Sequence, residues 1–71
     1  MSETEFITRL GKRIYKKRRE LKLSRQDLAD AVGLKRMQIY RIEKGESPTN
    51  IIFLYRIAKS FEIPIEDLLK T

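Results

Sequence analysis

The stretch Arg25 to Lys44 constrains the fold more than any other part of the chain, because it holds two short helical patterns separated by one glycine. Two short helices joined by a turn of about three or four residues cross at a steep angle. Such a crossing requires a small residue where the axes approach, here Ala29, and a residue that reaches left-handed backbone geometry where the chain reverses, here Gly33. Branched apolar residues that fill the angle stand at Leu28, Val32, Leu34, Ile39 and Ile42.

Apolar residues at helical spacing continue on both sides of this stretch. A first helix from about Thr4 to Lys22 is predicted by inward-facing residues at steps of four, four and seven: Phe6, Leu10, Ile14 and Leu21. A fourth helix is predicted by Ile51, Leu54, Ile57, Ala58 and Phe61. A short fifth helix is predicted over 63–69, with Pro64 in its first turn. We therefore expect an all-α fold of five helices around one core, forming a single domain over residues 1–71.

Polar residues mark the expected helix starts. Ser24 is predicted to cap the second helix, with Asp27 as the reciprocal carboxylate of a capping box. Thr49 or Asn50 is predicted to cap the fourth helix. Lys35 precedes the third helix, where Ser, Thr or Asn is usual, so we expect that helix to lack a side-chain cap and Lys35 to face a phosphate or a base.

Length and composition exclude several classes of function. A chain of 71 residues buries only about 60% of the surface that its unfolded form exposes, which leaves little room for a deep substrate cleft. Cys and His are both absent, which removes disulfides, Cys or His metal sites and imidazole acid–base chemistry. We therefore expect neither an enzyme nor a metal or cofactor site. No apolar run reaches the roughly 20 residues of a membrane span, and the start of the chain is acidic, so we expect a cytoplasmic protein with no membrane contact.

The positive charge is concentrated in the middle of the chain. The formal net charge is +6, but residues 9–44 alone carry thirteen Lys and Arg against four acids, a local excess of +9. Such an excess is typical of a surface that faces a polyanion, and the alternative is a solvated basic helix that binds nothing in particular.

Four short motifs resemble the successive landmarks of phage repressor and Cro-type helix-turn-helix proteins, the XRE family. They are LGKRI at 10–14, LSRQDLA at 23–29, RIEKG at 41–45 and IAK at 57–59, and the stretch 25–44 is the motif core. The resemblance covers nearly the whole chain. It implies a compact repressor-type domain with the helix-turn-helix at its second and third helices, double-stranded DNA as the partner, and a bacterial or phage origin.

The third helix has an outward stripe suited to a major groove. With Ile39 and Ile42 facing inward, the opposite stripe contains the candidate base-reading residues Met37, Tyr40 and Arg41, with Arg36 at its N-terminal shoulder. Each arginine can offer a bidentate fork to guanine, and Met37 can touch a thymine methyl group. Tyr40 can reach a base edge or a phosphate. For Met37 and Tyr40, packing against neighbouring side chains is the alternative.

Contacts to the DNA backbone are expected on both flanks of this helix, where they set register rather than sequence. The candidates are Arg25, Gln26, Lys35, Lys44, Ser47, Thr49 and Asn50. The first two stand at the N-terminus of the second helix, whose free N–H groups attract a phosphate. The resemblance implies the contact by the loop after the third helix. It also implies a structural ion pair between Arg18 and Glu43, and the alternative for these two residues is an ordinary surface pair.

Two functions remain open. The first is a sequence-specific transcription regulator, a minimal repressor or controller, that binds a palindromic operator as a homodimer. The second is a protein-interaction module, antitoxin-like or an adaptor, whose fourth and fifth helices bind a partner protein such as a toxin. Dimerisation follows from the family and from the apolar surplus at Ile51, Ile52, Phe53 and 63–69. A membrane-surface helix is weakened by the absence of Trp and because the apolar face of the first helix is needed in the core.

Overall fold

Five helices follow one another through residues 1–70, the part of the chain that the computed structural model describes. They are α1 (Glu3–Glu20), α2 (Arg25–Val32), α3 (Arg36–Glu43), α4 (Ile51–Ser60) and α5 (Ile65–Leu69). No strand occurs within these residues, so the predicted all-α fold of five helices is confirmed. No helix in the same range has the length and apolar character needed to cross a membrane.

Side-chain caps begin three of the helices. Ser24 Oγ accepts the Asp27 N–H and Asp27 Oδ2 accepts the Ser24 N–H, both at 2.9 Å, which is the predicted capping box. The Ser24 N–H bond lowers the pKa of the Asp27 carboxyl. The stability that this bond contributes is therefore complete above the ordinary carboxyl pKa and is lost as the pH falls through the lowered one. Ser2 caps α1, and Asn50 rather than Thr49 caps α4.

The prediction that Leu21 faces the core is wrong. α1 ends at Glu20, one residue before Leu21, and Leu21 is 42% exposed. Lys22 takes a positive φ of 59°, so that the Leu23 N–H turns back to the Arg18 carbonyl at 3.1 Å. This reversal brings Leu23 against the core in place of Leu21, because the hydrophobic residue just beyond such a helix end packs back on its last turn.

The core is enclosed by all five helices. α1 packs against α3 and α5, while α2 packs against both α3 and α4. The buried apolar side chains come from all five helices and from the end of α4: Leu10, Ile14, Leu28, Ala29, Val32, Ile39, Ile42, Leu54, Ile57, Ala58, Phe61 and Leu68. Because α3 gives Ile39 and Ile42 to this core, its opposite side is held at the surface.

α1 and α3 touch backbone to backbone at Gly11. A methyl group on Gly11 would lie against the Ile42 carbonyl oxygen and 2.7 Å from the Glu43 carbonyl oxygen. Both atoms belong to the last turn of α3, so a side chain at position 11 would push α3 away from the core. The absence of a side chain at Gly11 therefore sets how closely α3 approaches α1.

We expect Gly11→Ala to lower the free energy of unfolding by about 1–3 kcal/mol through overpacking, although alanine ordinarily favours a helix by about 1 kcal/mol over glycine. Urea unfolding followed by circular dichroism measures the change. Lys12→Ala, at the adjacent exposed position, is the control and should shift stability by less than about 0.5 kcal/mol. A stabilised Gly11→Ala variant would contradict the close approach.

Candidate nucleic-acid interface

The outward side of α3 is open to solvent except at Tyr40. Arg36, Met37 and Arg41 are exposed, and Met37 keeps 54% of its surface. Tyr40 is half-buried, and Lys44 is exposed just beyond the end of the helix. The four candidate base-reading residues thus share one side of α3, opposite the buried Ile39 and Ile42.

The start of α3 is stabilised without a side chain from Lys35. Gln38 Oε1 accepts the Lys35 N–H at 2.8 Å, so a glutamine inside the first turn satisfies a donor outside it. Lys35 itself makes no side-chain cap bond, as the sequence predicts, and its side chain is exposed. Its charge is therefore available beside the outward side of α3.

A groove runs along one flank of α3, towards the N-terminus of α2. It has a volume of about 450 Å³ and is lined by Arg18, Arg19, Ser24, Arg25, Gln26, Arg36, Met37 and Tyr40. The structure thus brings the candidate phosphate-binding residues Arg25 and Gln26 beside three candidate base readers. Arg19 belongs to this surface too, although the sequence did not single it out among the nine bases of residues 9–25.

A second groove follows the other flank of α3, beside the loop that leads to α4. Arg41 and Gln38 line it from the helix, and Ser47, Thr49 and Asn50 line it from the loop. Asn50 has a structural role there, because its Oδ1 accepts the Phe53 N–H at 3.0 Å and caps α4. α3 therefore stands between two polar grooves, with Arg36 on one side and Arg41 on the other.

A buried carboxylate joins three helices directly behind this surface. Arg18 Nε and Nη2 donate to the two oxygens of Glu43 at 2.6 and 3.1 Å, and only 5% of the Arg18 side chain and 1% of the Glu43 side chain are exposed. The ion pair that the resemblance implies is present. Arg18 Nη1 also donates to the Leu23 carbonyl at 2.8 Å, which secures the chain between α1 and α2.

Glu43 also binds a second arginine, which the sequence did not predict. Arg25 Nε donates to Glu43 Oε1 at 2.9 Å, and the Arg25 side chain remains 31% exposed. Arg25 is the first residue of α2 and Glu43 the last of α3, so the bond fixes these two helices to each other. The spacing of 18 residues gave no local signal for the pair, because only the steep crossing of α2 and α3 brings the two ends together.

Four cations lie near two aromatic rings at this point, and one of them is Arg19, whose guanidinium lies 5.8 Å from the centre of the Tyr15 ring. The Arg25 guanidinium lies 5.1 Å from the centre of the Tyr40 ring and 5.9 Å from that of Tyr15, within cation–π range. Lys44 Nζ lies 5.6 Å from the Tyr40 ring, and the Arg18 guanidinium lies 5.3 Å from the Tyr15 ring. Tyr15 was not a candidate from the sequence, since a tyrosine on a basic helix has no distinctive spacing.

The sequence comparisons agree with this geometry. A family model described as Helix-turn-helix (HTH_3) matches residues 14–68, which include all of α2, α3 and α4 and all but the last residue of α5. The chain belongs to this helix-turn-helix family. It is also 39% identical over 46 residues to an uncharacterized HTH-type transcriptional regulator, MJ0272, from Methanocaldococcus jannaschii, an alignment that covers 65% of this chain and 70% of that protein.

Two solved structures share the fold. The restriction-modification controller protein C.AhdI from Aeromonas hydrophila superimposes with a TM-score of 0.84 at 24% identity, over 87% of this chain and 94% of that chain. An HTH_3 family transcriptional regulator from Vibrio cholerae gives a TM-score of 0.87 at 24% identity, over 94% of this chain but 38% of that one. The predicted family resemblance is confirmed, and the five-helix arrangement matches structures of the same class.

We expect Glu43→Gln to lower the free energy of unfolding by about 3–5 kcal/mol, because the amide leaves the buried Arg18 charge without its counterion. Urea unfolding measures the loss. The matched control is Asp67→Asn, which breaks the exposed pair of Asp67 with Lys70 and should cost less than about 1 kcal/mol. Equal effects of the two substitutions would contradict a structural role for the buried pair.

Proposed function

We propose that this helix-turn-helix regulator binds double-stranded DNA sequence-specifically, with α3 lying in the major groove. The observation that carries the proposal is the exposure of Arg36, Met37 and Arg41 on one side of α3, with the two arginines on its shoulders and grooves on both flanks. A major groove about 12 Å wide admits one α-helix, and a guanidinium is the side chain best matched to guanine O6 and N7. The central charge excess of the chain favours the same partner.

We assign base reading to Arg36, Arg41 and Met37, the three exposed members of the candidate set on α3. The seven candidates for backbone contacts would hold phosphates and fix the register of the helix in the groove. Arg25 and Gln26 do so at the N-terminus of α2, where the helix dipole adds positive potential. Lys35 and Lys44 do so at the two ends of α3, with Ser47, Thr49 and the Asn50 amide group in the loop.

The apolar stripe on α4 supports a homodimer. Ile51, Ile52 and Tyr55 are 58%, 55% and 54% exposed and lie within about a third of the helix circumference, since each residue turns the helix by about 100°. Burying such a stripe against its copy removes apolar surface from water. A dimer of helix-turn-helix domains reads two half-sites about 34–36 Å apart, so we expect a palindromic operator that the protein occupies as a repressor or controller.

The same stripe suits the second candidate, a module that binds a partner protein. The two functions differ in their salt dependence. If the chain binds DNA through phosphates, the logarithm of its affinity for a duplex should fall linearly with the logarithm of salt concentration, with a slope of about −0.9 per phosphate neutralised. Genomic selection with the purified protein provides the operator for this titration. Recovery of no duplex would favour the interaction module.

We expect Arg36→Ala and Arg41→Ala each to weaken binding to the selected operator by about 1–3 kcal/mol and to relax preference at one base pair. Lys44→Ala should weaken binding to all duplexes alike, because a phosphate contact carries no sequence information. Fluorescence anisotropy with single-base variants of the operator measures both effects. If the arginine substitutions weakened all sequences equally, the assignment of base reading would be wrong.

We expect Ile52→Lys to shift the protein from dimer to monomer and to abolish cooperative binding to the two half-sites. A lysine buried in the dimer would lack a counterion, and the free-energy cost of burying its charge exceeds the gain from the apolar contact of the stripe. Sedimentation equilibrium measures the oligomeric state. Met37→Lys is the matched control, because Met37 is equally exposed but lies on α3, and this variant should remain dimeric. Loss of the dimer in both variants would place the interface elsewhere.

A further inference from the structure

The Arg25 side chain is held by one ion pair and two aromatic rings. Its Nε atom donates to Glu43, and its guanidinium lies within 5.9 Å of the centres of the Tyr15 and Tyr40 rings. These partners come from α1 and α3, whereas Arg25 begins α2. The guanidinium is therefore contacted by three groups on two other helices.

The part of Arg25 that faces outward has no protein partner. Within residues 1–70, its two terminal nitrogens form no hydrogen bond with the protein, while 31% of the side chain is exposed. Arg25 lines the same groove as Gln26, Arg36 and Met37. A guanidinium whose Nε is occupied still presents two parallel N–H donors, the arrangement that matches two oxygens of one phosphate.

We propose that Tyr15 and Tyr40 are positioning residues, whose rings hold the Arg25 guanidinium in place as a clamp for one DNA phosphate. This inference rests on the proposed DNA-binding function and deepens it. It moves Tyr40 from base reading to positioning, in agreement with its half-buried ring between Arg25 and Lys44. It also gives a role to Tyr15, which lies on α1 outside the helix-turn-helix.

The physical gain comes from preorganisation. A free arginine side chain loses up to about 2 kcal/mol of rotamer entropy when it is immobilised at an interface. In this chain the Glu43 bond and the two rings restrict Arg25 before DNA arrives. Removing a ring restores mobility to the guanidinium, so the phosphate contact weakens although Arg25 itself is unchanged.

A double-mutant cycle tests the assignment, using the duplex recovered by genomic selection and anisotropy over a range of salt concentrations. Tyr15→Leu should reduce affinity about 3- to 10-fold, the range expected for the loss of the cation–π contact between its ring and Arg25. It should also bring the salt slope towards that of Arg25→Ala, which is expected to be lower by about 0.9. Tyr15→Phe keeps the ring and should retain both the affinity and the slope.

The decisive comparison is made in the Arg25→Ala background. If Tyr15 acts through Arg25, Tyr15→Leu has no further effect there, because the group that it positions is gone. Thermal unfolding confirms that each variant is folded, and Tyr15 is exposed enough for leucine to leave the core intact. Equal losses in both backgrounds, or the same loss in Tyr15→Phe, would overturn the positioning role alone. Failure of the unsubstituted protein to select any duplex would overturn the proposed function, and the clamp with it.

Discussion

The structure depends most on one buried carboxylate. Glu43 ends α3, and its two oxygens receive donors from Arg18 on α1 and Arg25 on α2, so three helix ends converge on a single charge. Burying any one of these charges costs free energy, and that cost is offset only when an oppositely charged partner binds it. The network therefore requires one relative placement of the three helices. Apolar packing is less specific, because it tolerates the exchange of side chains of similar shape. This placement of the three helices determines the direction in which the outward side of α3 faces.

The sequence predicted the helices well, because their signals are local. The apolar spacing in α2 and α3, Gly33 at the reversal and the reciprocal bonds of Ser24 and Asp27 all act within a few residues. Leu21 was misplaced in the core because it stood where the helix ended, and periodicity cannot show where a helix ends if a lysine adopts the left-handed geometry that glycine usually takes.

The site was predictable only in part, for a physical reason. The outward residues of α3 follow from its period once Ile39 and Ile42 are known to face inward. The positions of Arg19 and Tyr15 do not follow from that period, because they depend on how α1 crosses α3. Contacts between distant segments leave no periodic pattern in a single sequence. The second partner of Glu43 was missed for the same reason.

The contact at Gly11 has a consequence for how such a protein changes over time. Because the backbone of α1 rests on the last turn of α3, the position of α3 is set by main-chain atoms rather than by the side chains that face outward. Arg36, Met37 and Arg41 contribute nothing to the core. If these three residues read bases as proposed, new residues at their positions alter the preferred operator while the scaffold stays as it is, and a lineage acquires new target sites by substitution on one exposed helical surface.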